Sequence, residues 1–415
     1  MRNNRQMGEK GLMAMLKGKT VVLGVTGSVA AYKTANLARM IMKMGGNVHV
    51  LMTKNAENFI NPFTFETLTQ NKCLIDTFDR NFQYSVEHVA IAKQADVVMI
   101  APASANVIGK IANGIADDML TTTVMACPCK KIIAPAMNHN MYHNPIVQDN
   151  IEKLKRFGYT IVTPDCGMLA NGDTGDGRMP DERILLEYIL REISHTKDLL
   201  GKNIMITAGA TRESIDPVRF ITNHSTGKMG IELARAAMYR GADVTLIKGA
   251  TDILAPEFVN VVDVVSAEDM YSAVMENADN FDIIIKAAAV ADYTPKNTSD
   301  EKIKKTDGDS VIELKRTKDI LKSLGENKKP NQFICGFSME TENLIENSSK
   351  KLESKNADMI CANSIKVEGA GFGGNTNVVT IITKDGAEEL PKMSKFECAN
   401  AILDRIIKGA ENKCE

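Results

Sequence analysis

One structural phrase occurs twice in this chain, and it constrains the fold more than any other feature. Residues 18–53 read GKTVVLGVTGSVAAYKTANLARMIMKMGGNVHVLMT, and residues 201–248 read GKNIMITAGATRESIDPVRFITNHSTGKMGIELARAAMYRGADVTLIK. Each opens with Gly-Lys and a run of β-formers. Each then passes a Gly/Ala/Thr turn, a helix containing Leu-Ala-Arg, a Gly turn and a second strand. Strand–loop–helix–strand is the unit of an open parallel α/β sheet. Its loop is where backbone N–H groups and a helix dipole can meet a phosphate. Two such loops, one domain length apart, predict two phosphate-bearing ligands.

A chain of 415 residues accommodates two or three domains with buried cores. Its net charge of −2 argues for neither a nucleic-acid nor a membrane partner. With no Trp and 5% aromatics it offers no base-stacking platform. The 23 methionines read mostly as adaptable core filler. Cys335 and Cys361 lie in apolar strand-like runs and read as small buried hydrophobes. Cys127-Pro-Cys129 lacks a matching second pair and does not read as a zinc site. Scattered cysteines and the lack of a signal-like or spanning apolar run give the expectation of a reduced, cytoplasmic protein.

Residues 1–17 read as a leader, 18–190 as a first domain and 191–415 as a second, with the polar stretch REISHTKDLLGK at the boundary. Strands are expected at 20–25, 47–52, 96–101, 131–134 and 159–162 in the first domain. In the second they are expected at 203–207, 244–247, 282–287, 333–336, 359–361 and 378–383. The helix at 34–44 places Leu37, Met40, Ile41 and Met44 on one face. Alternating β and α elements predict two doubly wound parallel sheets of Rossmann-like α/β type. Residues 294–312, polar and lysine-rich, read as a long exposed loop that is either a lid or a solvated charge run.

In the first half, GVTGSVAAYK (24–33) closes a strand and opens a helix, and Gly27 and Ser28 leave backbone N–H groups for an anion. It is not a G-x-G-x-x-G fingerprint. APASANVIGKIANGIADDMLTT (101–122) puts Ser104 and Asn106 at a strand's carboxyl end, where open sheets bind ligands; Ser104 also reads as a helix cap. In PAMNHNMY, Asn138 offers donors and an acceptor suited to a carboxylate or amide. His88 lies in YSVEHVAIAKQAD, where a lone histidine is either structural or catalytic.

As an ordered set these motifs resemble the FMN-binding homo-oligomeric Cys decarboxylases, and within them the phosphopantothenoylcysteine decarboxylases. The resemblance implies that fold for the first domain and FMN as cofactor. FMN there oxidises the substrate's cysteine side chain, the thioaldehyde loses CO₂, and reduced flavin returns hydride to the enethiol. It implies His88 as catalytic histidine and Asn138 as the grip on the substrate carboxylate. Gly27, Ser28, Thr53, Ser104 and Asn106 would line the FMN site. One departure stands in DCGMLANGDTGDGRM (165–179), where Asn171 occupies the position of the family's flap cysteine, the acid for the final reduction. Cys166, five residues earlier, is either its replacement or a bystander.

In the second half, ITAGATRESIDPVRFITNHSTGKMG (206–230) carries Arg212, Arg219 and Lys228 as anion-binding cations, with Asn223 among them. Thr222 stands where a Walker A loop needs its first glycine, so this is not a P-loop. KAAAVADYTP places Asp292 past a strand end. EKIKK supplies Lys302, Lys304 and Lys305, and TKDIL, GFSMET and the Lys351/Lys355 pair follow.

This set resembles the bacterial, CTP-using phosphopantothenate–cysteine ligases. The resemblance implies that 4′-phosphopantothenate attacks CTP, giving an acyl-cytidylate and pyrophosphate, and that cysteine then displaces CMP, with Mg²⁺ on the phosphates. Lys302 would serve the activation step, Asn223 would orient the acyl-cytidylate, and Asp292 would read the cytosine. Lys318, Asp319, Ile320, Leu321, Phe337, Lys351 and Lys355 would complete the CTP site. Together the halves resemble the bifunctional coenzyme A biosynthesis enzymes, acting on small molecules as a homo-oligomer such as a dodecamer. Two rivals stay open. With Asn171 in the flap, the flavin half could release the enethiol. Some relatives of the flavin fold are regulatory subunits of phosphatases, but those carry acidic tails that this chain lacks.

Overall fold

The computed structural model describes residues 15–78, 87–168, 172, 174–304, 311–340, 342–364 and 373–413. The chain forms two compact units, divided between His195 and Thr196.

In the first unit β1 (Thr20–Val25), β2 (Asn47–Met52), β3 (Val97–Ala103), β4 (Lys130–Pro135) and β5 (Thr160–Ile161) form one sheet in the order β2-β1-β3-β4-β5. Every pairing is parallel. All seven residues of β3 are buried, as a strand covered on both faces requires. The helix Ala31–Lys43 buries Ala31, Thr34, Leu37, Ala38 and Ile41, a single helical stripe. Met40 and Met44, expected on that stripe, are half-buried at its margin. β3 runs two residues past the expected end at Ala101, and a register shift against β4 between Ile100 and Ala103 absorbs Pro102. A hairpin, β6 (Asp165–Met168) and β7 (Thr174–Arg178), follows the sheet.

The order β2-β1-β3 reverses direction at β1. That makes the crevice beyond the carboxyl ends of β1 and β3 the topological switch point, the place where open α/β sheets take ligands.

The second unit repeats the scheme. β8 (Asn203–Ala208) is followed by the hairpin β9 (Arg212–Ser214) and β10 (Phe220–Thr222), then β11 (Asp243–Lys248), β12 (Asn260–Asp263) and β13 (Ile283–Lys286). The hairpin β14 (Tyr293–Pro295) and β15 (Leu314–Arg316) forms the base of the expected long loop. Then come β16 (Phe333–Glu340), β17 (Met359–Ser364), β18 (Thr376–Asn377), β19 (Thr380–Thr383), β20 (Gly386–Glu389) and β21 (Met393–Ser394). The main sheet has the order β12-β11-β8-β13-β16-β17-β19-β20. It is parallel as far as β17, but β19 and β20 run antiparallel, so the strand expected at 378–383 belongs to an antiparallel edge. The switch point here lies between β8 and β13. Cys335 and Cys361 are fully buried, as their apolar runs predict.

Candidate functional site

At the first switch point the loops after β1 and β3 are tied together. The Thr26 hydroxyl donates to the Pro102 carbonyl at 2.8 Å and accepts from the Ser104 N–H at 2.9 Å. No side chain caps the helix Ala31–Lys43, so its first turn, next to Gly27 and Ser28, is open to an anion. A Cβ on Gly27 would lie 2.9 Å from the Asn55 Cβ, so the turn needs glycine. Thr53, at the carboxyl end of β2, is buried, and its Oγ1 has no hydrogen-bond partner among the described residues. An orphaned buried hydroxyl beside an uncapped helix start fits the polar edge and phosphate of a flavin mononucleotide. Ser104 caps the helix Ala105–Ala112, and Asn106 is exposed in its first turn.

A cavity of about 570 Å³ opens beside this turn, lined by Ser28, Tyr32, Asn138, Met168, Gly177 and Arg178 among others. The Asn138 Oδ1 accepts from the Asn140 N–H at 2.9 Å and caps the turn His139–Tyr142. That bond fixes the side chain, whose Nδ2 remains as a donor. The β6–β7 hairpin docks here through Gly177, whose carbonyl accepts from the Met137 N–H at 3.0 Å. Gly177 has φ +124°, and a Cβ on it would lie 2.3 Å from the Met137 carbonyl oxygen. Gly177→Ala is therefore expected to undock the hairpin. A loss of about 2 kcal/mol would lower the unfolding midpoint of this half by about 4–8 °C. An unchanged midpoint in calorimetry would contradict this. His88 is half-buried on the helix Glu87–Gln94 and is not among the described residues lining this cavity. Asn171 lies outside the described residues. Cys166 is exposed on β6.

In the second unit two cavities adjoin, of about 500 and 470 Å³. Asn223 lies in the wall of both, as do Thr222, Ser225, Thr226 and Lys228. The larger sits at the β8/β13 switch point and takes in Lys286, Asp292, Phe337, Lys351, Asn363 and Lys395. The smaller takes in Arg212, whose guanidinium stacks 4.7 Å from the Phe220 ring centre. Asn223 donates from Nδ2 to the carbonyls of Ala289 (3.1 Å) and Val290 (3.3 Å), which fixes its Oδ1.

The structure thus brings Asn223, Asp292, Phe337 and Lys351 to one cavity. Lys355 pairs at 2.7 Å with Asp319, which caps the helix Ile320–Glu326. Ile320 and Leu321 are core residues, so only their backbone could meet a ligand. Lys318 points away, pairing with Glu268 at 2.6 Å and lying over the Tyr271 ring. Lys302 is exposed and does not line the cavity; Lys305 lies outside the described residues.

Lys286, Asn363 and Lys395 received no role from sequence. Burial lowers the pKa of Lys286; Asp319 opposes that and Lys351 reinforces it. Burial, with Lys228 nearby, brings Lys395 down to about 8. The Asn363 Oδ1 is buried without a partner among the described residues. Crowded, desolvated lysines mark a place for a polyanion, whose charge would favour their protonated forms. Asp292 is the one carboxylate among the described residues lining this cavity, so a Mg²⁺ here would be held chiefly by the phosphates it accompanies.

Lys302 is held through its neighbour. Asp216, buried, accepts from the N–H groups of Val218 (2.9 Å), Arg219 (2.8 Å) and Ile303 (3.2 Å) and from the Arg219 guanidinium. Arg219 in turn donates to the Ile303 carbonyl at 3.0 Å. These bonds, Arg219's foremost, hold the Asp216 carboxyl well below the usual carboxylate range. A depressed folded-state pKa stabilises this clasp fully above the unfolded value of about 3.9, and the contribution fades only as pH falls toward the folded value. Asp216→Asn should release the segment at every pH and speed tryptic cleavage after Lys302 about tenfold. Unchanged cleavage would remove Asp216 from this role.

Comparison with known proteins gives a consistent picture. A family model described as "Flavoprotein" matches residues 11–194, and one described as "DNA/pantothenate metabolism flavoprotein C-terminal domain" matches residues 199–410. The chain is 47% identical over 396 residues to the coenzyme A biosynthesis bifunctional protein CoaBC of Bacillus subtilis (strain 168), covering 94% of this chain and 97% of that protein. It is 39% identical over 401 residues to the protein of that name from Escherichia coli (strain K12), covering 96% and 99%. A solved structure of the C-terminal domain of a CoaBC protein is 46% identical, covering 52% of this chain and all of that one, with a TM-score of 0.45.

Proposed function

This chain belongs to the family of bifunctional coenzyme A biosynthesis proteins, and from that premise we propose that its two cavities carry two successive reactions. The second half, residues 191–415, joins cysteine to 4′-phosphopantothenate at the expense of CTP. The first, residues 18–190, decarboxylates the product to 4′-phosphopantetheine. The observation that carries this reading is the shared wall at Asn223. An activated acyl group must be reached from one side by a nucleotide's phosphate and from the other by an amine, and Asn223 borders both spaces.

In the larger cavity Lys286, Lys351 and Lys395 would receive the triphosphate of CTP, and Asp292 would accept from the exocyclic amine of cytosine. The 4′-phosphopantothenate carboxylate attacks the α-phosphorus and pyrophosphate leaves. The cysteine amine then attacks the acyl carbon and CMP leaves. Lys302, carried on its clasped segment, would add positive charge as the activation step develops negative charge.

In the first half, bound FMN would supply the two-electron oxidation of the substrate thiol carbon and its later reversal. Ser28 and the open helix start would hold its phosphate, and Thr53 would satisfy its polar edge. Asn138, locked by its cap, would hold the carboxylate that departs as CO₂. Cys166 shares a strand face with Met168, a cavity residue, and is our candidate for the acid that completes the reduction. Catalytic His88 would reach the substrate in a homo-oligomer whose sites form between copies of the chain.

Lys302→Gln separates the two activities. CMP release should fall by at least about 100-fold, the effect of removing one preorganised charge. Bound flavin and decarboxylation of the ready-made conjugate should be unchanged. Normal ligation by this variant would overturn the role of Lys302.

A further inference from the structure

The first unit holds three clustered side chains, His139, His143 and Asp176, to which neither reaction assigns a role. His139 and His143 sit one helical turn apart just after Asn138, and their ring centres are 4.4 Å from each other. Asp176, on β7, faces both. Its Oδ2 is 3.0 Å from the His143 Nε2, and its N–H donates to the His139 Nδ1 at 3.2 Å. One ligand-type atom from each of the three side chains lies within 4.8 Å of the others. Across the hairpin Cys166 is the register partner of Asp176, and its thiol hydrogen-bonds to that carboxylate. His139 and Asp176 are half-buried, while His143 and Cys166 are exposed, so an ion has a route in.

Two imidazoles, a carboxylate and a thiol make up a mixed nitrogen, oxygen and sulfur set. Hard ions such as Mg²⁺ and Ca²⁺ prefer all-oxygen surroundings, whereas tetrahedral Zn²⁺ takes all three atom types. The His143 ring already meets the carboxylate at hydrogen-bond distance, and the His139 ring meets the N–H of the same residue. An ion about 2.0–2.2 Å from each donor can therefore replace the shared proton with small side-chain rotations.

We propose that His139, His143 and Asp176, with Cys166 as fourth ligand in its thiolate form, are a binding site for a zinc-class divalent ion that fastens the β6–β7 hairpin to the turn bearing Asn138. The ligands come from two elements held together otherwise by the Met137–Gly177 backbone bond. Asn138 immediately precedes one ligand and Gly177 follows another, and both line the cavity. The ion would hold the hairpin closed over that cavity and withdraw Cys166 from acid chemistry. The latter consequence rests on the decarboxylase reading; the site itself does not.

The test uses the full-length, flavin-loaded protein in equilibrium dialysis against buffered Zn²⁺. The protein should retain one Zn²⁺ per chain at this site. His143→Ala/Asp176→Asn, whose altered side chains lie at the surface, should lose it while keeping its flavin and circular dichroism. Cys129→Ser should bind as the parent does. Zinc-edge absorption should count one sulfur at about 2.3 Å among nitrogen and oxygen neighbours at about 2.0–2.2 Å, and Cys166→Ser should remove that sulfur. Amide exchange over Gly175–Arg178 should slow when Zn²⁺ is added. Retention undiminished in the double variant, no retention by the parent at micromolar free Zn²⁺, or a parent spectrum without sulfur would each overturn the four-ligand site. None of these readouts depends on turnover, so the decarboxylase reading can fail without the metal site failing.

Discussion

Asn138→Asp is expected to fold normally and to lose decarboxylation by at least about 1,000-fold in kcat/KM. The two expectations have one structural source. Asn138 caps the turn His139–Tyr142 through Oδ1, and aspartate is as good a cap as asparagine. The change therefore leaves the backbone alone and alters only the atom aimed at substrate. A donor N–H₂ becomes an anionic oxygen facing a carboxylate. Losing a hydrogen bond to a charged group costs about 1.5–3 kcal/mol. Like charges about 4 Å apart add about 4 kcal/mol at an intermediate dielectric. Residual activity should rise as pH falls toward the carboxylate range, because a protonated aspartic acid regains a donor. Parent-like turnover, or a pH profile identical to the parent's, would show that Asn138 does not hold the departing carboxylate.

Asn223→Asp should do comparable damage in the other half, again by at least about 1,000-fold, for a different reason. Nδ2 of Asn223 donates to two backbone carbonyls, of Ala289 and Val290, in the loop after β13. A carboxylate there faces two carbonyl oxygens and is driven off them. The loop and the side chain lose register together, and both adjoining cavities lose their common wall. If Asn223 orients the acyl-cytidylate, the variant should release one equivalent of pyrophosphate per site and then stall before CMP. Steady CMP release at the parent's rate would contradict the placement, and decarboxylation of the ready-made conjugate should be unaffected.

Asn138 and Asn223 stand out in the sequence, whereas the backbone groups that Asn223 bonds are brought to it only by the fold. Thr20–Val25 and Asn47–Met52 match their expected spans to the residue, because an unbroken run of β-formers between turn signals carries its own boundaries. The strand at 378–383 had the right character. Its antiparallel direction comes from pairing with β17, which local pattern does not encode. Asn138 and Ser28, named as site candidates from motifs that form their own turns, both line the first cavity. Lys286, Asn363 and Lys395 were not so named, since the sheet order alone brings two strand ends and a helix start to one cavity. The zinc-type cluster divides in the same way. His139 and His143 have helical spacing in the sequence, but Asp176 reaches them only because Gly177 lets β7 dock on Met137.

One chain is proposed to perform two successive steps. The direct measurement supplies the full-length flavin-bearing protein with 4′-phosphopantothenate, cysteine, CTP and Mg²⁺ and follows every product by mass spectrometry. CMP, pyrophosphate and CO₂ are expected in equal amounts, with 4′-phosphopantetheine as the final thiol. Accumulation of the undecarboxylated conjugate, or release of the enethiol in place of 4′-phosphopantetheine, would contradict the two-step proposal.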